Sequence, residues 1–393
     1  MEQKYDYFKK ALDKKREQKE YSQLRCIVPL DENHIISKKE KIINFSSNDF
    51  LGLSLHPHVK KNTIKSVLEW GAGSSPSRLL TGHLECHKQI EERLAELLGK
   101  ESSLLFSSPY KAHQTIFSSI ANNRSLIFID RFSHQGLIQA ASLCQGKVLR
   151  YEHSNIAQLK TLLQKYKTTP CSSKLIISES LFGLNGKICN IESLIELSKE
   201  HQALLYLDDS YAMGTQGING MGLGSHRDEV DIVTGFFGKG CGSFGTYIAT
   251  NQLLKEYMIT FSSQFMETNA LPPAALGAIN ASLDLIPSME VERNKIKEKS
   301  GWLREELKNK HWNIGYGTSH IIPIICGTEK EYKELSQALF HANILATPLR
   351  PPVVPQGLSR VLLLINALHT EEELQQLIYI VNSLKKEYSL STL

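Results

Sequence analysis

The chain has 393 residues, 41% hydrophobic and 22% charged, with a formal net charge of +4. That size suits one large core plus a smaller lobe, and the balance is that of an ordinary soluble globular protein. The small, dispersed charge is compatible with anionic metabolites but argues against a clustered nucleic-acid surface.

Seven cysteines are scattered without a CxxC pair, so neither a zinc site nor a secreted disulfide framework is expected. The N-terminus lacks the apolar core of a signal peptide, and no apolar run approaches the ~20 residues that span a bilayer. The expected location is the cytosol, with no membrane and no nucleic-acid partner.

Residues 4–22 read as an exposed, Lys/Glu-rich amphipathic helix, a docking arm within an N-terminal helical stretch, 1–45. Residues 46–285 then alternate short apolar runs with helical patterns. The strand candidates are 103–107, 125–130, 147–151, 174–179, 203–208, 231–235 and 246–250, with helices at 87–98 and 191–201. Continuous apolar runs such as LLYL and LIIS suit an α/β domain whose mostly parallel sheet is covered on both faces. Leu271-Pro272-Pro273 opens a long helical stretch to about 309. A smaller α+β C-terminal domain, 286–393, follows, with strands at 321–325 and 360–365, a helix at 329–342 and a closing helix from Thr370.

Ligands of open α/β sheets bind beyond the carboxyl ends of the strands. One such end runs Leu204-Leu205-Tyr206-Leu207-Asp208-Asp209. Its carboxylates require a partner or solvent, and alone this reads equally well as a helix cap. A second end, Thr234-Gly235-Phe236-Phe237-Gly238-Lys239-Gly240, sets a lysine in a glycine-rich turn. Glycines allow close backbone approach, and a desolvated lysine becomes a usable amine nucleophile. A lone loop lysine is more often simply solvated. Asp208 precedes Lys239 by 31 residues, and His134 lies upstream in Asp130-Arg131-Phe132-Ser133-His134.

That order resembles the fold-type-I pyridoxal-phosphate enzymes, the aspartate-aminotransferase-like transferases. The resemblance narrows to the 8-amino-7-oxononanoate synthases among the α-oxoamine synthases. It is carried by Asn44-Phe-Ser-Ser-Asn48-Asp-Phe-Leu-Gly-Leu53, by Ser77-Arg78-Leu-Leu-Thr-Gly82 with His87, and by Leu349-Arg350-Pro-Pro-Val353-Val-Pro355. It implies that Lys239 bonds pyridoxal 5′-phosphate, Asp208 pairs with the ring nitrogen and His134 stacks on the ring. The implied reaction condenses L-alanine with pimeloyl-CoA or a pimeloyl acyl carrier protein and releases carbon dioxide, a step in biotin formation. The implied assembly is a homodimer with shared sites.

Several positions depart from the family pattern. Tyr211 replaces a histidine near the cofactor oxygen, and Gly183 replaces a serine. The phosphate turn reads Ser108-Pro109-Tyr110, where proline removes one amide donor yet suits a first helical turn. Phe236 stands where a phosphate-binding threonine is usual, Thr234 is out of register, and Asn269 replaces a threonine lent by the other subunit. Among the substrate positions, Leu362 replaces the arginine that grips the amino-acid carboxylate, leaving Arg360 and Arg350 as candidates. Val353 replaces a threonine, and Ser22 replaces an N-terminal arginine, with Arg25 nearby. Asn48 completes the substrate set. The pattern fits a divergent synthase; a non-catalytic, partner-binding paralogue and a different pyridoxal-dependent transfer stay open beside it.

Overall fold

The computed structural model describes residues 3–18, 21, 24–74, 77–267 and 269–388. Seven apolar runs form the central sheet in the order Ser102–Phe106, Thr246–Thr250, Ile232–Phe236, Leu204–Asp208, Lys174–Glu179, Leu126–Asp130, Lys147–Tyr151. Thr246–Thr250 is antiparallel to both neighbours, and the other pairs are parallel. Each strand splits its residues between two cores. Leu105, Phe128, Ile176, Leu205, Leu207 and Val233 face one cluster; Leu104, Ile127, Ile129, Leu175, Ile177 and Tyr206 face the other. Burial on both faces explains why these runs read as continuous rather than alternating.

The C-terminal lobe carries Ile321–Ile325, Arg360–Leu364 and Thr347–Leu349 as a three-stranded antiparallel sheet. Along Arg360–Leu364, Val361 and Leu363 enter the lobe's own core, whereas Leu362 and Leu364 join the core of the large sheet. One strand therefore serves two cores.

Two expectations need correction. The N-terminal helix covers only Asp6–Glu17 and buries no side chain. Residues 28–44, expected within the helical stretch, instead form Val28–Pro29, His34–Ser37 and Glu40–Asn44, joined by Ile344–Leu345 in a four-stranded sheet. Isoleucine pairs at 35–36 and 42–43 favour a pleated surface, and Lys38 and Lys39 turn the hairpin at φ 52° and 70°. The long helical stretch is also two helices, Pro273–Leu285 and Glu290–Asn309, separated by a short turn at Ile286–Ser288. Pro287 there cannot donate to the helical ladder.

Candidate active site

The parallel register brings Glu179 level with Asp208, and Asp208 level with Thr234, at the carboxyl ends of adjacent strands. Lys239 follows in the next turn. Both carboxylates are at least nine-tenths buried, Glu179 at 4% exposure and Asp208 at 5%. Burial, then the neighbouring Asp208, pushes Glu179 upward, while burial pulls the Lys239 ammonium down against the opposing pull of Asp208 and Glu179. The half-buried lysine and the two buried carboxylates thus feel one another's charge at these strand ends.

The two aspartates separate in role. Asp209 is fully buried and accepts Gly224 N at 2.8 Å, so it braces the glycine-rich loop. Asp208 accepts Ser210 N at 2.9 Å and faces His113 Nε2 at 3.8 Å. Behind it, His113 Nδ1 lies 2.6 Å from Tyr206 Oη, which lies 3.1 Å from Thr234 Oγ1. Burial pulls His113 down to about 4 against the attraction of Asp208, which keeps this chain neutral.

His134 caps the helix Gln135–Leu143, its Nδ1 accepting Gly136 N at 3.1 Å, and its own N–H donates to Glu179 at 2.5 Å. The residue is exposed overall, although burial of the imidazole lowers its pKa. Lys239 Nζ sits 3.1 Å from the centroid of the Tyr211 ring. The other neighbour of that ring is Gly183. A Cβ at Gly183 would stand 2.1, 2.4 and 2.8 Å from Tyr211 ring carbons, closer than any packed carbon pair allows. Gly183 and Tyr211 are thus one steric unit, not two separate losses.

Ser108 caps the helix Pro109–Ile120 by accepting Tyr110 N at 3.2 Å, so proline occupies the first helical position it suits. Phe236 lays its ring over Gly238, where a Cβ would meet it at 2.4 Å. Thr234 points at Tyr206, away from that turn, and supplies no replacement donor.

The substrate positions scatter more widely. Leu362 is 5% exposed and packs in the main core. On the same side of its strand, Arg360 is 2% exposed and donates to Leu358 O at 3.0 Å and Leu184 O at 3.1 Å. No carboxylate faces it among the described residues, and burial pulls the guanidinium below its usual range. Such a buried, uncompensated cation calls for an anion. Leu184 adjoins Gly183, so Arg360 reaches the edge of the lysine site. Asn48 is half-buried with its Oδ1 unpartnered. Val353 is 43% exposed on a surface turn. Arg25 is exposed and stacks on Phe340 at 4.0 Å in the C-terminal lobe. Asn269 is exposed and bridges Ser77. Ser22 lies outside the described residues.

Sequence reading missed Glu179 and His113. Glu179 carried a usable signal, since Leu-Ile-Ile-Ser-Glu also runs an apolar strand into a carboxylate. His113 carried none, being one position on an amphipathic helix.

The donor set fits pyridoxal 5′-phosphate. A half-buried amine stands with a carboxylate backed by a neutral His113, an exposed imidazole lies alongside, and the Pro109–Ile120 N-terminus offers amides and a positive dipole end to a phosphate.

A family model described as aminotransferase class I and II matches residues 40–381. The chain belongs to that family. It is 36% identical over 374 residues to a Desulfosudis oleivorans protein whose assignment as an 8-amino-7-oxononanoate synthase is provisional, covering 95% of this chain and 97% of that one. It is 31% identical to the 8-amino-7-oxononanoate synthase of Gluconacetobacter diazotrophicus, covering 93% and 94%. Among solved structures, Sphingomonas wittichii serine palmitoyltransferase superposes with a TM-score of 0.90 at 24% identity, covering 98% of each chain. The 8-amino-7-oxononanoate synthase of Francisella tularensis superposes at 0.76 with 24% identity, covering 88% and 99%. These likenesses establish the fold-type-I architecture of this aminotransferase-family chain.

Proposed function

We propose that this family member is a pyridoxal-phosphate-dependent acyltransferase that condenses L-alanine with a pimeloyl thioester, of coenzyme A or of a carrier protein, to give 8-amino-7-oxononanoate. The observation that carries the chemistry is the convergence of Lys239, Asp208, Glu179 and His134 at one set of strand ends. The choice of substrates rests on the curated relatives.

Pyridoxal phosphate, when bound, supplies an aldehyde for the amino group and a ring that accepts the electron pair released at the α-carbon. Lys239 would hold it through Nζ and would serve as the base for the α-proton of alanine, its desolvation making that amine competent. Asp208 would keep a proton on the ring nitrogen, with His113 facing its carboxylate. His134 would cover the ring, and Glu179 fixes the backbone of His134. Ser108, Pro109 and Tyr110 present the helix start to the phosphate, with Phe236 closing that end. Tyr211 would offer its hydroxyl to the ring oxygen, with Gly183 leaving room for its ring. Arg360 takes the α-carboxylate in place of the residue at 362.

The working unit in this reading is a homodimer. Leu80, Phe244 and Phe261 are 82%, 52% and 61% exposed, apolar surface that suits a second copy, and Asn269 would serve the partner's site.

The test incubates holoprotein with alanine and pimeloyl-CoA and follows thiol release together with mass detection of the product. Thiol release dependent on both substrates and abolished in Lys239→Ala is expected. A protein that binds the cofactor yet releases no thiol would favour the non-catalytic paralogue, a reading to which Phe236 in place of a phosphate donor lends support.

A further inference from the structure

A cavity of about 360 Å³ lies beside the lysine site, lined by Arg131, Phe132, Ser133, Gln135, Arg150, Tyr151, Glu152, Leu184 and residues 352–355. It adjoins the site at two points. Ser133 precedes His134, and Leu184 follows Gly183 and accepts from Arg360. Arg131 and Arg150 stand at the carboxyl ends of the paired strands Leu126–Asp130 and Lys147–Tyr151, where a sheet of this class presents its ligands.

The lining is divided by chemistry. Leu184 and Pro352–Pro355 form an apolar wall, with Val354 only 2% exposed. Arg131, also in the lining, is paired with Glu152, so those charges cancel. The exposed side chain of Arg150 makes no hydrogen bond or ion pair among the described residues. Ser133 is 2% exposed, and its hydroxyl has no partner. A buried hydroxyl without a partner is uncommon in a folded protein, and here it lines the same cavity as the exposed guanidinium of Arg150.

A cavity with apolar lining, one guanidinium without a protein partner and one unpartnered hydroxyl matches an aliphatic chain ending in an anion. We propose that this cavity is the subsite for the distal end of the acyl donor, and that Arg150 and Ser133 bind its ω-carboxylate while Leu184 and Val353–Pro355 cover its methylenes. The proposal rests on the acyltransferase reading above and adds what selects the acyl group. Phosphates of coenzyme A are the other anion that could meet Arg150, and the experiment separates the two.

Parent, Arg150→Gln and Ser133→Ala holoproteins are compared with pimeloyl-CoA, octanoyl-CoA and the pimeloyl and octanoyl thioesters of N-acetylcysteamine, a carrier without phosphates. The parent should prefer the carboxylate-ended chain on both carriers. Arg150→Gln should lower that preference about tenfold, the loss of a charge-assisted contact, and Ser133→Ala should lower it less. The loss should reside in the KM of the thioester rather than that of alanine. An unchanged preference overturns the proposal, as does a loss confined to both CoA esters, which assigns Arg150 to phosphate. A loss in alanine KM also overturns it. Calorimetric binding of pimelate against octanoate to each holoprotein reads the cavity without turnover. If the parent releases thiol from no ester yet binds pimelate through Arg150, the reaction assignment fails and the subsite stands; no pimelate preference removes the subsite. Cofactor absorbance and circular dichroism confirm that each variant is folded.

Discussion

Gly183→Ser should damage this protein through one contact, the ring of Tyr211. Gly183 does not occupy the left-handed region, so backbone conformation permits a side chain there. Space does not. The added Cβ would lie 2.1 Å from Cε2 and 2.4 Å from Cζ of the tyrosine, and the ring also contacts Lys239 Nζ. Retreat of the ring therefore displaces the lysine. Overpacking a tight site costs about 1–3 kcal/mol, which corresponds to a fall of roughly 1–4 °C in Tm for a chain of this size. The serine should also weaken cofactor binding. Tyr211→His in the same chain shortens the ring and should restore most of the loss, giving a favourable coupling of about 0.5–3 kcal/mol. The assay is a double-mutant cycle read by thermal unfolding of the holoproteins and by spectrophotometric cofactor titration. Full stability and cofactor affinity in Gly183→Ser alone, or strictly additive losses in the double variant, would refute the reasoning.

Arg360→Gln should raise the KM for alanine about tenfold to a hundredfold, since a charge-assisted carboxylate contact contributes roughly 1.5–3 kcal/mol; steady-state kinetics with alanine varied checks this, and an unchanged KM places the carboxylate elsewhere. Leu362→Arg should fail to tighten alanine binding and should lower Tm instead, because Leu362 sits in the main core at 5% exposure; calorimetry with alanine decides between the outcomes. His369 is fully buried against Phe45, with ring centroids 4.2 Å apart, and burial pulls it down to about 3. A neutral histidine that titrates low in the fold and near 6.5 in the unfolded chain leaves stability intact above about pH 6.5. That stability is lost as pH falls toward 3, at up to about 1.4 kcal/mol per pH unit. His369→Gln should flatten the acid limb of a denaturation series by close to one proton, and an unaltered slope would mean the imidazole finds an acceptor when charged. Borohydride treatment of the holoprotein should fix the cofactor on Lys239, read by peptide mass; labelling elsewhere would remove the lysine from its assigned place.

Much of this architecture was readable in the chain because the central strands are buried on both faces. Runs such as Leu175-Ile176-Ile177 and Leu204-Leu205-Tyr206-Leu207 are apolar without alternation and stop at a polar residue, so their carboxyl ends were marked directly. The strands at 28–44 were hidden by their shortness and by flanking lysines and glutamates that resemble an exposed helix. At the site, identity was legible and relation was not. Tyr211 and Gly183 read as two independent defects because no sequence rule places residue 183 under a ring 28 positions later; the sheet register does so. Arg360 and Leu362 show the same limit. Alternation along a strand puts both on one side, but only the packing reveals that one is covered by carbon while the other's guanidinium meets carbonyl oxygens and no acid.

The strand Arg360–Leu364 has a further consequence for what the gene can tolerate. Its neighbours in sequence belong to different interiors, so its register is fixed from both sides at once. Loss or gain of a single residue in the short turn 355–359 would invert it, driving Arg360 into the oily centre of the C-terminal lobe and turning Val361 toward the core of the large sheet. Length in that turn should therefore be as constrained as chemistry at any catalytic position.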